Sequence, residues 1–304
     1  MNRLRIATRK SRLAMWQSQH VAELLRRHHP ELAVELVPLS TRGDEVLDRS
    51  LAEIGGKGLF LKELEHAMLA GQADAAVHSL KDVPAECPSG FELAVFLERA
   101  DWHDWWVNAS GLSPGEMPAG ASVGTSSLRR QSQLLALYPE LKPVAVRGNV
   151  HTRLALLERG DVDALILAAA GLDRLGIRPP GTLPLSPPAF LPAPGQGVIT
   201  VQIPADSDEL KAVLEPLGCA QTTLAVRAER AVVAALGGDC RMPLAALAEV
   251  TGDRLSLRAR LASPDGRQVV DASGEGATAD PERLGRQVAE RMLDGGGMCI
   301  LSQI

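Results

Sequence analysis

The sequence predicts an α/β protein, two similar α/β lobes followed by a small α+β C-terminal domain, and three observations support that fold class. Short β-rich runs alternate with helical patterns through the first two-thirds of the 304 residues. A strand, hydroxyl, Arg, helix order opens twice, as TRKSRLAMWQSQ (8–19) and TSSLRRQSQLLA (125–136). After Leu217 the alternation gives way to strands in meander order. Alternation of the first kind argues for parallel sheets covered by helices.

In the first lobe, residues 4–8 read as a strand and residues 13–26 as a helix with apolar positions at 13, 16, 21, 24 and 25. Ser11 is placed to cap that helix. A strand at 32–39, a Gly-rich loop (Gly55, Gly56, Gly58), a helix at 59–69 and strands at 73–78 and 93–97 complete it. The second lobe restarts at Ala121: strand to Gly124, helix 127–138, strand 143–147, helix 152–159, strand 164–168. The Pro-rich stretch 178–197 breaks regular structure before a strand at 198–203. Crossings near 98–105 and 190–197 would act as hinges. The last domain reads as a helix at 223–236, strands at 246–250, 255–261 and 268–272 with a Ser263-Pro264-Asp265-Gly266 turn, and a helix at 282–293. The expected domains are residues 1–98 with 197–217, residues 104–191, and residues 220–304.

Hydrophobic residues make up 45% and charged residues 23%, which excludes general disorder and a fibrous chain. A net charge of -5 argues against a basic nucleic-acid binder, which carries a positive excess to neutralise phosphates. No run of 18 apolar residues predicts a membrane span, and MNRLRIATRKSR lacks the apolar core of a secretory signal. Cys87, Cys219, Cys240 and Cys299 are scattered, with no CxxC pair and no His at ligand spacing. A disulfide framework and a metal site are both poor readings, and the cytoplasm is the expected location. The 32 basic residues comprise 26 Arg and only 6 Lys. Codon bias explains a surplus, so position decides which Arg matter.

Arginines cluster where strands end and helices begin: Arg9 before Ser11, Arg129 and Arg130 after Thr125-Ser126-Ser127, Arg147 before Gly148-Asn149, then Arg153, and Arg174 after Gly171. Helix N-termini, hydroxyls and Arg forks together make anion sites, and open α/β sheets bind ligands beyond the carboxyl ends of their strands. The pattern points to a ligand with several carboxylates or phosphates, and the lack of a P-loop or Rossmann fingerprint disfavours nucleotides. The bland reading is that each is an ordinary surface Arg beside an acid. His78-Ser79-Leu80-Lys81-Asp82-Val83-Pro84 follows a buried strand and would bring Lys81 and Asp82 to the same end. There Asp82 suits stabilising positive charge on a substrate, while the bland reading is a polar turn. His78 reads as a packed strand-end residue. Cys240, in Gly237-Gly238-Asp239-Cys240-Arg241-Met242-Pro243, has the freedom of a nucleophile or attachment point; an inert thiol is the alternative.

In combination, LRIATRKSRLAMWQ, ELVPLSTRGD, GGKGLFLKELE, DAAVHSLKDVP, VGTSSLRRQ, VRGNVHTRL, DALILAAAGLDRLG, PAPGQG and the Cys240 loop closely resemble the porphobilinogen deaminases (hydroxymethylbilane synthases), nearly end to end. The resemblance implies two lobes like those of periplasmic binding proteins plus a small C-terminal domain. It implies a monomeric cytosolic transferase of tetrapyrrole synthesis that condenses four porphobilinogens into hydroxymethylbilane and releases ammonia. It further implies a dipyrromethane cofactor held by thioether at Cys240, with Asp82 as the catalytic carboxylate beside Lys81. Lys81, Asp82, Thr125, Ser127, Arg129, Arg130, Arg147 and Asn149 fall on cofactor-binding positions. Arg9, Ser11, Arg153 and Arg174 fall on substrate and chain positions, as does Gln196, at the second hinge. Asp44 and Gly55-Gly56-Lys57-Gly58 match a mobile segment over the cleft. The sequence departs from the family's Asp-x-Arg-Asp run at Asp101-Trp102-His103-Asp104-Trp105-Trp106, which puts the hinge's ion pairing in doubt, and at Asp239 and Arg241 in the Cys loop.

Two other function classes fit parts of the pattern. A two-lobed polycarboxylate-binding module explains the lobes and the Arg set but neither Cys240 nor the third domain. An enzyme with a Schiff base at Lys81 explains the Lys-Asp turn alone.

Overall fold

The computed structural model describes residues 1–40, 61–238 and 242–303. They form two compact units, residues 1–100 with 197–223 and residues 101–196 with 224–304. Elements are numbered along the chain.

The first unit holds a five-stranded sheet of order β2-β1-β3-β10-β4, built from β1 (Arg3–Arg9), β2 (Ala33–Leu39), β3 (Ala75–Ser79), β4 (Phe91–Phe96) and β10 (Ile199–Pro204). Period-two alternation decides what each strand buries. From β1, Leu4 and Ile6 join a core with Val21 and Leu25 of α1 (Arg12–His28) and with Val77, Val201 and Ile203. Ala7 points the other way, onto Leu64, Ala67 and Met68 of α2 (Lys62–Leu69). Helices therefore cover both faces, with α6 (Asp208–Leu214) following β10. Ser11 caps α1 as its position predicts, its hydroxyl accepting from the Ala14 amide at 3.3 Å.

The second unit repeats the plan. Its sheet, order β7-β6-β8-β5-β9, uses β5 (Asp104–Val107), β6 (Ser122–Gly124), β7 (Lys142–Val144), β8 (Ala164–Ala168) and β9 (Thr182–Leu185). α3 (Leu128–Leu137), α4 (Val150–Glu158) and α5 (Ala169–Arg174) follow β6, β7 and β8. Trp106 of β5 is fully buried against Val123, Leu134, Ile166 and Phe190. The second sheet of this unit is antiparallel, order β11-β12-β13: β11 (Leu244–Thr251), β12 (Arg254–Ala262) and β13 (Val269–Ala277). It packs on α7 (Ala220–Ala235) and α8 (Pro281–Met292), with Val232, Leu257, Leu261 and Val288 at the centre.

The structure corrects two expectations about the lobes. Neither sheet is all parallel: β10 runs antiparallel to β3 and β4, and β5 antiparallel to β8 and β9. In each lobe the odd strand is the one the chain forms as it enters from a crossing, so no βαβ connection dictates its direction. The Pro-rich stretch also contains a strand, β9, which pairs with β5 at the sheet's edge and tolerates Pro184 there. The 224–304 segment keeps its own sheet and core yet lies in one unit with the second lobe. Leu191 and Trp102 pack on Ala245 and Leu247, and Arg260 donates to the Ala189 carbonyl at 2.6 Å. The turn at Gly266, φ +73°, comes so close to α3 that a Cβ would stand 2.5 Å from the Ala136 nitrogen. Among the described residues no helix is long and apolar enough to cross a membrane.

Candidate active site

In the first unit, β1 and β3 are parallel neighbours, so their carboxyl ends coincide. Arg9 ends β1, Ser11 follows at the start of α1, and the single turn Leu80–Asp82 follows β3. Leu80 is buried and Asp82 exposed. The turn is anchored by the Leu80 amide, which donates to the Val198 carbonyl at 2.9 Å. Behind it His78 is buried, its Nε2 at 2.9 Å from Gln202 Oε1. Burial pushes the His78 imidazole down to about 4, the Gln202 hydrogen bond opposing and the Arg9 charge reinforcing the shift.

In the second unit, β6, β7 and β8 are parallel; Thr125 and Ser127 follow β6, Arg147 and Asn149 follow β7, and Arg174 lies in the last turn of α5, which follows β8. Asn149 caps α4, accepting from the Thr152 amide at 3.1 Å. Gly148 precedes it at φ +92°, where a Cβ would meet Thr152 at 2.8 Å, so the Arg-Gly-Asn bend requires glycine. Arg153 reaches back, its Nε donating to the Gly148 carbonyl at 2.9 Å. Thr125 is buried and its hydroxyl accepts from the Ser127 amide at 3.2 Å. Burial pushes Arg174 down to about 10, with Asp173 opposing, which leaves it cationic at neutral pH.

Arg129 and Arg130, expected to grip a cofactor, turn inward. Both are buried against Asp104, itself buried at the start of β5. Arg129 Nη1 donates to Asp104 Oδ2 at 2.6 Å and to the Leu191 carbonyl at 2.8 Å. Arg130 donates through Nε and Nη2 to Asp104 Oδ1, at 3.0 and 2.7 Å, and through Nη1 to the Ile166 carbonyl at 2.8 Å. Gln196 joins them: its Nε2 donates to Asp104 Oδ1 at 3.0 Å and to the Trp102 carbonyl at 2.8 Å. Burial alone would push the Asp104 carboxyl up; Arg129 and Arg130 outweigh it and hold the group well below the usual carboxylate range. Burial lowers Arg129 in turn, with Asp104 opposing. In place of an Arg, His103 bonds locally, Nδ1 to Asp101 Oδ1 at 2.6 Å, and stacks on Trp102 at 3.9 Å.

The described residues thus gather Arg9, Ser11, Lys81 and Asp82 at one sheet end of the first unit. They gather Thr125, Ser127, Arg147, Asn149 and Arg153 at one sheet end of the second, with Arg174 further on, at the end of α5. Cys240, Asp239, Arg241, Asp44 and the Gly55 to Gly58 loop lie outside the described residues. Sequence reading missed Asp104 as an organiser, seeing it only within an altered hinge run. It also missed Glu229, buried on α7, whose carboxylate accepts from the Gly195 amide at 2.6 Å and the Ala248 amide at 2.8 Å. The signal for Glu229 was an acid between Val226 and Val232 on an apolar helix face. Among the described residues no group of three or more His, Cys, Asp or Glu could hold a metal ion.

The donors present suit a ligand rich in carboxylates: guanidinium groups, hydroxyls and a capped helix start at shared strand ends. Comparison with known proteins agrees. Residues 4–212 match the family described as "Porphobilinogen deaminase, dipyromethane cofactor binding domain", and residues 223–294 match "Porphobilinogen deaminase, C-terminal domain". The chain is 54% identical over 296 residues to the porphobilinogen deaminase of Stenotrophomonas maltophilia, covering 97% of this chain and 98% of that protein. It is 50% identical over 304 residues to that of Bordetella parapertussis, covering 100% and 97%. Among solved structures, the substrate-binding protein AbpA from Streptococcus pneumoniae is similar at a TM-score of 0.41, with 15% identity over 71% of this chain and 87% of that one. The BvgS VFT2 domain of Bordetella pertussis is similar at 0.43, with 16% identity over 70% and 85%. Those two scores are too low to argue from. The sequence matches run the length of the chain, and on them it belongs to the porphobilinogen deaminase family, enzymes that form hydroxymethylbilane from porphobilinogen on a dipyrromethane cofactor.

Proposed function

We propose that Asp82 is the catalytic carboxylate of this reaction, with Lys81 beside it. The observation that carries the reading is the placement of Asp82: exposed, on a one-turn helix at the carboxyl end of β3, at the sheet end that also presents Arg9 and Ser11. Loss of ammonia leaves positive charge on the pyrrole of the bound substrate, and a fixed carboxylate aimed at it lowers the barrier. Arg9 and Ser11 take the carboxylates of the incoming porphobilinogen, and Arg153 and Arg174 those of the growing chain.

The dipyrromethane cofactor supplies the primer pyrrole on which the chain grows. Its attachment at Cys240 is part of the same proposal, as are contacts from Lys81, Thr125, Ser127, Arg147 and Asn149. Arg129 and Arg130 enter differently from the other arginines. With Asp104 and main-chain carbonyls already accepting from them, they serve the cofactor through the donors left over and by fixing the start of α3. Gln196 reads as a tie between Asp104 and the second crossing rather than a direct substrate contact. The three-domain division, a monomeric state and a cytoplasmic location belong to this reading too.

The test is intact-protein mass spectrometry combined with turnover. Wild type should carry a covalent adduct that Cys240→Ser lacks. Asp82→Asn should keep the adduct and lose turnover by about 100-fold or more. A fully active wild type without adduct, or an Asp82→Asn enzyme turning over normally, would refute the mechanism.

A further inference from the structure

The register of β3 with β1 covers Ala75 and Ala76, whereas with β10 it continues to Ser79. The strand end that carries the Lys81–Asp82 turn is therefore held by main-chain bonds to β10 on one side. Such one-sided pairing fixes the strand along its neighbour but leaves its roll about that edge to side chains. Two side-chain contacts contribute to that restraint. Gln17 Nε2, from α1, donates to Ser79 Oγ at 2.8 Å. On the neighbouring residue His78 meets Gln202 of β10, and Gln202 Nε2 donates to Glu65 Oε1 of α2 at 2.9 Å.

The polarity of this chain is fixed by its far end. A carboxylate oxygen accepts, so the Gln202 amide nitrogen faces Glu65, its oxygen faces His78, and His78 Nε2 must be the donor. All three residues are buried, and burial keeps the imidazole neutral, with a single N–H to give. The same Gln202 nitrogen stands 3.6 Å from Cys87 Sγ in the segment after the turn. Glu65, Gln202 and His78 thus tie a helix, a strand and the strand end to one another immediately behind Asp82.

We infer that His78 is a positioning residue for the reacting carboxylate, its Nε2–H bond to Gln202 and Glu65 fixing the roll of the Lys81–Asp82 turn. The inference rests on Asp82 being that carboxylate. A hydrocarbon at position 78 would fill the space but leave the Gln202 oxygen without its donor and take one side-chain tie from the strand end.

The test uses full-length, cofactor-loaded enzyme. His78→Leu should keep the adduct mass and a KM within about twofold, while kcat falls about 10- to 100-fold, the scale expected when a reacting group is misplaced by about an ångström. His78→Gln sets an amide donor near the place of Nε2 and should recover most of kcat; His78→Asn, whose donor falls short, should not. Gln202→Met removes the acceptor without touching His78 and should reproduce the fall, which keeps the test usable if His78→Leu does not fold. Normal kcat in Gln202→Met overturns the inference. So does equal impairment of the Gln and Asn variants in step with their unfolding midpoints. Asp82→Asn run alongside separates the two readings: normal turnover there removes the underlying mechanism. An inactive Asp82→Asn beside a normal His78→Leu removes only the role of His78.

Discussion

The two lobes share a strand order, yet the strand that follows each crossing is tied to its neighbours by opposite chemistry. In each, that strand, β10 or β5, carries a buried polar side chain, opposite Ala76 of β3 in one and opposite Ala168 at the end of β8 in the other. In the first lobe this is Gln202, and the neighbour it orders is a neutral His78. In the second it is Asp104, and the neighbours are two guanidinium groups. The difference teaches what each lobe can tolerate. The His78 chain loses one hydrogen bond when the imidazole is removed, whereas a buried ion cluster that loses its carboxylate strands two positive charges.

Asp104→Asn therefore gives the largest expected effect. Removing one partner from a buried pair costs about 3–5 kcal/mol, and here both Arg129 and Arg130 lose theirs. Denaturant unfolding should show at least that loss, together with slower formation of the covalent adduct, because the start of α3 is no longer fixed. His78→Leu, by comparison, should cost about 1–3 kcal/mol. If the two variants are equally destabilised, the contrast between the lobes is wrong.

How much of this was legible in the sequence follows from what each residue's chemistry depends on. The lobes, the meander and the cap at Ser11 were legible because periodicity and capping are local properties. The strand ends bearing Arg9, Asp82 and Arg147 were legible because parallel strands put their carboxyl ends together; Arg174, read as lying at such an end, instead closes α5. The inward turn of Arg129 and Arg130 was not, because it depends on Asp104, some 25 residues earlier and reached only through the β5–β8 pairing. The antiparallel strands β5 and β10 were missed as such for the same reason, since strand direction is set by chain crossings that leave no local pattern. Even so, the weak likeness between residues 8–19 and 125–136 marked two helices that do occupy matching places, α1 after β1 and α3 after β6.

Acid sharpens the comparison at the next scale. The His78 imidazole lies near 4 in the fold against 6.5 unfolded, so the unfolded chain binds the extra proton between those values. Its contribution is fully present above pH 6.5 and is lost as pH falls toward 4, a change of roughly 3 kcal/mol. Asp104 behaves otherwise. Its folded carboxyl is held below the unfolded value of 3.8, so its contribution stays intact throughout that window and is lost only in stronger acid. Unfolding free energies at pH 7 and pH 4.5 should differ less in His78→Gln than in wild type. An unchanged difference would mean that His78 is not the titrating group.

The smallest contrast lies at the two helix starts that the sequence repeat picked out. Ser11 caps α1 through its hydroxyl, whereas Ser127, in the same place before α3, makes no capping bond and its amide is instead taken by Thr125. Ser11→Ala should lower stability by about 1 kcal/mol, while Ser127→Ala should leave the unfolding midpoint within error. If Ser127 keeps its hydroxyl for a cofactor carboxylate, Ser127→Ala should instead slow appearance of the adduct in mass spectrometry when the apo-protein is supplied with porphobilinogen. An unfolding loss at Ser127 equal to that at Ser11, with adduct formation unchanged, would make the two serines plain caps and leave the second lobe one fewer hand on the cofactor.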